Sequence, residues 1–142
     1  MKRHHALQQL SRDHHHALVV ARRLRHVTDE TAVETVGLFL AHWHAEEKQH
    51  FRLEEEVLLP AFAVHGDPYH PAVVRMLIDH MLLRRDVSQL TAQPPLELLH
   101  DLGARLSSHV ELEEREVFPL VEAMIPEPEL VQLGAQLTTA AG

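Results

Sequence analysis

Two copies of a histidine and a glutamate four residues apart are the most chemically pointed feature of this sequence. His50 and Glu54 form the first pair, and His109 and Glu113 the second. In an α-helix, positions i and i+4 differ by about 40° in direction and about 6 Å along the axis, so each pair presents both groups to one cavity. A carboxylate has two oxygens and can bridge two ions. An imidazole offers one nitrogen and usually ends a coordination sphere. The pairs belong to a longer repeat: His50, Leu53, Glu54, Glu55 and Pro60 recur 59 positions later as His109, Leu112, Glu113, Glu114 and Pro119. A weaker echo joins Asp13-His14 to Asp79-His80. The chain thus reads as two halves, each supplying a lone histidine and a His-x-x-x-Glu pair.

One H-x-x-x-E on a helix means little, since a solvated polar pair gives the same pattern. Two copies gain weight from their setting. The stretch Lys2–Val27 carries the helical stripe Leu7, Leu10, His14, Ala17, Ala21 and Leu24. The stretch 29–64 carries Val36, Leu40, Trp43, Glu47, His50, Glu54, Val57 and Ala61. The stretch 69–91 carries Val73, Leu77, His80, Leu83, Val87 and Leu90. The stretch 95–118 carries Leu99, Leu102, Leu106, His109 and Glu113, and the stripe runs on to Val117 and Leu120. Each stripe is apolar except near its middle, where it holds His or Glu. Buried charge is costly unless paired or bound to metal. Four imidazoles and two carboxylates converging from four helices describe two ions with terminal imidazoles and bridging carboxylates. Water, hydroxide or oxo would complete the spheres. An N/O-only site with vacancies suits iron or manganese, imidazole richness tilts towards iron, and zinc stays open on affinity.

The elements that must position these groups are four helices in an up-down-up-down bundle, in one domain over residues 1–142. Thr28-Asp29, the run from His65 to Pro71 and Pro94-Pro95 separate them. Pro60 is expected to kink or end the second helix, and a short tail helix is expected over 128–137. The composition agrees: 45% apolar residues, five glycines and no cysteine. The missing thiols exclude disulfides, iron–sulfur clusters and thiolate zinc sites. A formal charge of −8 argues against a nucleic-acid-binding face. No run approaches transmembrane length and no secretory h-region is visible, so no membrane association and a cytoplasmic location are expected.

At these residues the chain resembles the hemerythrin-like, or HHE cation-binding, family, over about Leu7 to Leu120. The resemblance implies an all-α four-helix bundle around a non-haem di-iron centre on His14, His50, Glu54, His80, His109 and Glu113. It implies a small diatomic ligand or peroxide as the partner. Members bind oxygen, respond to nitric oxide or redox state, handle iron or act on peroxide. The oxygen carriers of the family place two histidines four apart on the third helix, where this chain has Met76 and Arg84 four residues either side of His80. They also carry His-x-x-x-x-Asp on the fourth helix. Simple reversible oxygen carriage is therefore not the expectation, and a more open site is.

Glu47 lies one turn before His50 on the same stripe, and its repeat counterpart is Leu106. It reads either as an additional metal ligand and acid–base group or as a glutamate reaching water from the bundle end. Glu47-x-x-His50 also invites a ferritin-like comparison, but the first and third segments have no glutamate on the stripe. Asp13 and Asp79 read as outer acceptors for ligand histidines or as solvated acids. Glu55, Glu56, Glu114 and Glu116 read as a solvated face. His42 and His44 read as surface or packing residues, His15 as a flank of the site and His16 as solvated. His65 and His70 fall in a loop able to take adventitious metal. Trp43 reads as core or as a pocket wall. The functional alternatives are a di-iron binding or sensing module, a di-iron oxidase or peroxidase, and a bundle holding zinc without a redox role.

Overall fold

A computed structural model describes residues 2–142, and every described element is a helix or a turn. A single 3₁₀ turn, His5–Leu7, leads into α1, Gln8–Arg25. Helix α2 is an unbroken rod over residues 32–63, in which α-helical stretches Ala32–His42, Lys48–Leu53 and Leu59–Ala63 alternate with π-helical turns Trp43–Glu47 and Glu54–Leu58. Helix α3 is Pro71–Ser88. Helix α4 spans residues 96–124, as Leu96–Leu112, a π turn Glu113–Val117 and Phe118–Met124. Helix α5 is Glu127–Ala141. Among the described residues no helix is long and apolar enough to cross a membrane.

Local chemistry explains the starts. His70 accepts a hydrogen bond from the Ala72 amide at 3.1 Å, and Pro71 takes the first position of α3, where its missing N–H costs nothing. That capping role accounts for one of the two loop histidines. The other, His65, pairs with Glu129 of α5. Pro60 and Pro119 do not end their helices. Each follows a π turn, whose closing bonds run from the Leu59 amide to the Glu54 carbonyl and from the Phe118 amide to the Glu113 carbonyl. The widened turn accommodates the proline ring against the preceding turn, so the rods run on to Ala63 and Met124.

Helix α1 packs along α4 and against α2, and α3 packs along α4. Helix α5 crosses the 3₁₀ turn and the second half of α2. Gly103 permits the α1–α4 approach, because a Cβ there would lie 2.7 Å from the Ala21 carbonyl oxygen and 2.8 Å from Leu24 Cβ. The core divides into two apolar clusters. One holds Leu7, Leu10, Leu58, Phe62, Met76, Phe118 and Leu130. The other holds Ala17, Leu24, Phe39, Trp43, Phe51, Leu83 and Leu102. His14 lies between Leu10 of the first and Ala17 of the second, and His80 between Met76 and Leu83. A buried polar layer therefore separates the two. Leu77 does not face inward as its stripe suggests: it is 41% exposed, and Met76, at 0%, takes the buried place. Trp43 is core, stacked near Phe39 and edge-on to Phe51.

Candidate metal centre

Four rods bring six groups to the polar layer. His14 comes from α1, His50 and Glu54 from α2, His80 from α3, and His109 and Glu113 from α4; none is more than 3% exposed. Their ligand atoms form two sets, each lying within 4.8 Å of one another. His14, His50, Glu54 and Glu113 make one, and Glu54, His80, His109 and Glu113 the other. Both carboxylates belong to both sets, so Glu54 and Glu113 could each serve two cations.

Distances agree with that arrangement. His14 Nε2 lies 2.8 Å from Glu113 Oε1, and His50 Nε2 lies 3.2 Å from Glu54 Oε2. His80 Nε2 lies 3.2 Å from Glu54 Oε1 and 3.3 Å from Glu113 Oε2, and His109 Nε2 lies 2.8 Å from Glu113 Oε2. Two donors bonded at about 2.1 Å to one ion at right angles stand about 3 Å apart. The buried His50 Nε2, His109 Nε2 and both Glu54 oxygens have no hydrogen-bond partner. Such orphaned atoms are rare in protein interiors. Here they lie together within the two ligand sets, whose donors fit a pair of cations.

The opposite edge of each imidazole faces a carboxylate. His14 Nδ1 is 2.6 Å from Glu114, His50 Nδ1 is 3.0 Å from Asp13, His80 Nδ1 is 2.6 Å from Glu55 and His109 Nδ1 is 3.3 Å from Asp79. An ionised carboxylate only accepts, so each Nδ1 carries the proton and donates, leaving Nε2 for a metal. The pattern obeys the repeat. The glutamate after each bridging glutamate reaches the lone histidine of another rod, and the aspartate before each lone histidine reaches the paired histidine of another rod. Arg84 then braces Glu55 at 2.8 and 3.2 Å. Arg3 and Ser11 brace Glu114 at 3.3 and 2.8 Å. Phe51 stacks on His80 with ring centroids 3.9 Å apart, and Phe118 stacks on His14 at 5.3 Å.

Electrostatics follow from this packing. Burial alone would depress the imidazoles, but the carboxylates on both edges outweigh it. Glu113 and Glu114 carry His14 up to about 9. Glu113, Glu54 and Glu55 carry His80 up to about 11. Glu113 and Asp79 carry His109 to about 9, and Glu54 and Asp13 hold His50 well above its ordinary value. Burial would raise the acids, yet Glu113 is held well below the usual carboxylate range, chiefly by His109. Glu55 and Glu114 overcome the same penalty through His80 with Arg84 and through His14 with Ser11, and fall to about 2.

Several sequence expectations change. Glu55 and Glu114 are not solvated-face residues but partners of His80 and His14. Asp13 and Asp79 are outer acceptors, each for the histidine of a neighbouring rod rather than the one beside it. His42 is buried and is no surface residue. His15 is exposed and does not flank the site. Glu47 is 2% exposed, so it does not reach water, and it lies in neither ligand set. Its Oε2 is 2.6 Å from His42 Nε2, while the charges of His50 and His109 still act on it. A surface groove of about 640 Å³ between α1 and α5 contains none of the six candidate ligands.

A profile described as the hemerythrin HHE cation-binding domain matches residues 5–121. No curated protein and no solved structure matches the chain. Both His-x-x-x-Glu pairs, the two lone histidines and the helical bundle that gathers them lie inside the matched span, and this chain belongs to the hemerythrin HHE cation-binding family.

Proposed function

We propose that this chain is a single-domain, non-haem di-iron protein that binds or senses oxygen, nitric oxide or redox state. The observation that carries the reading is the doubly shared ligand set, with orphaned Nε2 and carboxylate atoms gathered within it. Short connections, residues 26–31, 64–70 and 89–95, support an up-down-up-down course for the four ligand-bearing rods. When bound, an iron pair supplies redox electrons and an open position for a small ligand. The protein's own part is to hold the imidazoles in one tautomer, exclude water from the carboxylates and balance charge. The buried Glu47–His42 pair favours a second reading, in which peroxide is consumed with Glu47 as acid–base group.

The test is elemental analysis of protein produced with iron available, joined to absorption spectra of the reduced and air-oxidised forms with and without nitric oxide. About two irons per chain and ligand-dependent bands are expected for a doubly bridged pair. Stoichiometric zinc without iron overturns the iron assignment. Spectra indifferent to oxygen and nitric oxide overturn the sensing role. Steady peroxide turnover that disappears in Glu47→Gln selects the second reading.

A further inference from the structure

Of the three π turns, two precede prolines. The third, Trp43–Glu47, has no proline near it, and its closing bond runs from the Lys48 amide to the Trp43 carbonyl. In a regular α-helix, residues five apart diverge by about 140°. Bonding five residues back widens the turn and swings such residues towards one face. Here it brings His42 and Glu47 together at 2.6 Å in the buried interior. His42 Nδ1 points the other way, 3.3 Å from Glu46 Oε2, and Glu46 Oε1 is 2.8 Å from His16 Nδ1 of α1. Glu46 is 39% exposed at its side chain. His16, His42 and Glu46 line one surface groove of about 440 Å³ between α1 and α2, with Val19, Val20 and Ala45 as its apolar walls. A continuous file of titratable groups therefore runs from an open groove to a buried carboxylate one turn from His50.

The centre gives this file a purpose. Glu54 and Glu113 are fully buried there, and an electron gained or lost by a metal pair in such a layer would leave a charge that a proton must offset.

We propose that Glu46, His42 and Glu47 form a proton relay that carries protons between the α1–α2 groove and the metal centre. The proposal rests on the metal-pair reading above. Glu46 passes its proton to His42 Nδ1 while the proton on His42 Nε2 moves to Glu47 Oε2. Glu46 ends as a carboxylate, His42 as the other neutral tautomer and Glu47 as a carboxylic acid, so one proton has crossed without net change in charge along the file. Water in the groove reloads Glu46. His16 faces Glu46 from α1, and His50 and His109 face Glu47 from the centre; these are the charged groups that set the direction of flow.

The test compares wild type with Glu47→Gln and His42→Ala. Metal content is read first, then proton uptake, followed by a pH-indicator dye as viologen radical reduces the iron-loaded protein in stopped flow. Both variants are expected to keep the wild-type metal count and to take up protons at least tenfold more slowly. Added imidazole should restore His42→Ala, since the deleted ring borders the groove. In metal-free protein, nitrogen NMR should show His42 titrating lower in Glu47→Gln than in wild type. Wild-type uptake rates in Glu47→Gln, an unmoved His42 titration, or metal loss in either variant overturns the relay. Failure of wild type itself to load iron overturns the metal-pair reading, and the relay with it.

Discussion

Each of His14, His50, His80 and His109 is held from two sides, by Glu54 or Glu113 at Nε2 and by an outer carboxylate at Nδ1. The outer contact fixes the tautomer, and losing such a partner typically costs about 10- to 100-fold in metal affinity. Asp13→Asn and Glu55→Gln should each weaken iron binding by about that factor in a chelator competition, with the fold kept by circular dichroism. The same groups set a pH dependence in the metal-free protein. His14 and His109 rise from 6.5 to about 9 and His80 to about 11, so their contribution to stability is complete below pH 6.5 and fades as pH climbs through those values. Glu55 and Glu114 fall from 4.5 to about 2, so theirs is present above pH 4.5 and is lost towards pH 2. The metal-free melting temperature should therefore decline between pH 6.5 and 10, and iron should remove that decline by replacing the Nε2 protons. A metal-free protein that grows more stable across the same interval contradicts this assignment. The six inner residues were legible because helical spacing repeats within one element. The outer partners were not, because Glu55 and Glu114 act on histidines of other rods, and pairing between rods leaves no spacing to read.

At the scale of the element, apolar periodicity located all five helices, while local backbone chemistry decided their course. Proline predicted a kink or an end to α2, and the structure absorbs Pro60 and Pro119 into π turns beginning at the bridging glutamates. The most deeply buried apolar positions of α2 are Phe39, Phe51 and Phe62 at 1%, 0% and 1% exposure, while Val36, Leu40 and Ala61 are half-buried against the clusters. The π turn at Trp43–Glu47 left no mark in the sequence, so spacing alone left His42 open between surface and packing, and the structure takes the packing alternative. Helix contact offers a direct check. Gly103→Ala would place a methyl 2.7 Å from the Ala21 carbonyl, so α1 and α4 must separate. Overpacking of this kind costs about 1–3 kcal/mol, measurable as a lower urea midpoint at unchanged slope.

Across the whole molecule, two apolar clusters hold apart a layer that contains little but histidine and carboxylate. Glu54 and Glu113, both at 0% exposure, are the costly members of that layer, and cations relieve the cost. Binding that occurs only in the folded state stabilises it, so iron loading should raise the melting temperature, and the gain should disappear in His50→Ala and His109→Ala as metal is lost. The central claim is the doubly bridged pair itself. Anomalous scattering at the iron edge, recorded from crystals of iron-loaded protein, tests it most directly. Two peaks should appear, one among His14 and His50 and the other among His80 and His109, with Glu54 and Glu113 touching both. A single peak, or peaks away from these six side chains, would contradict it.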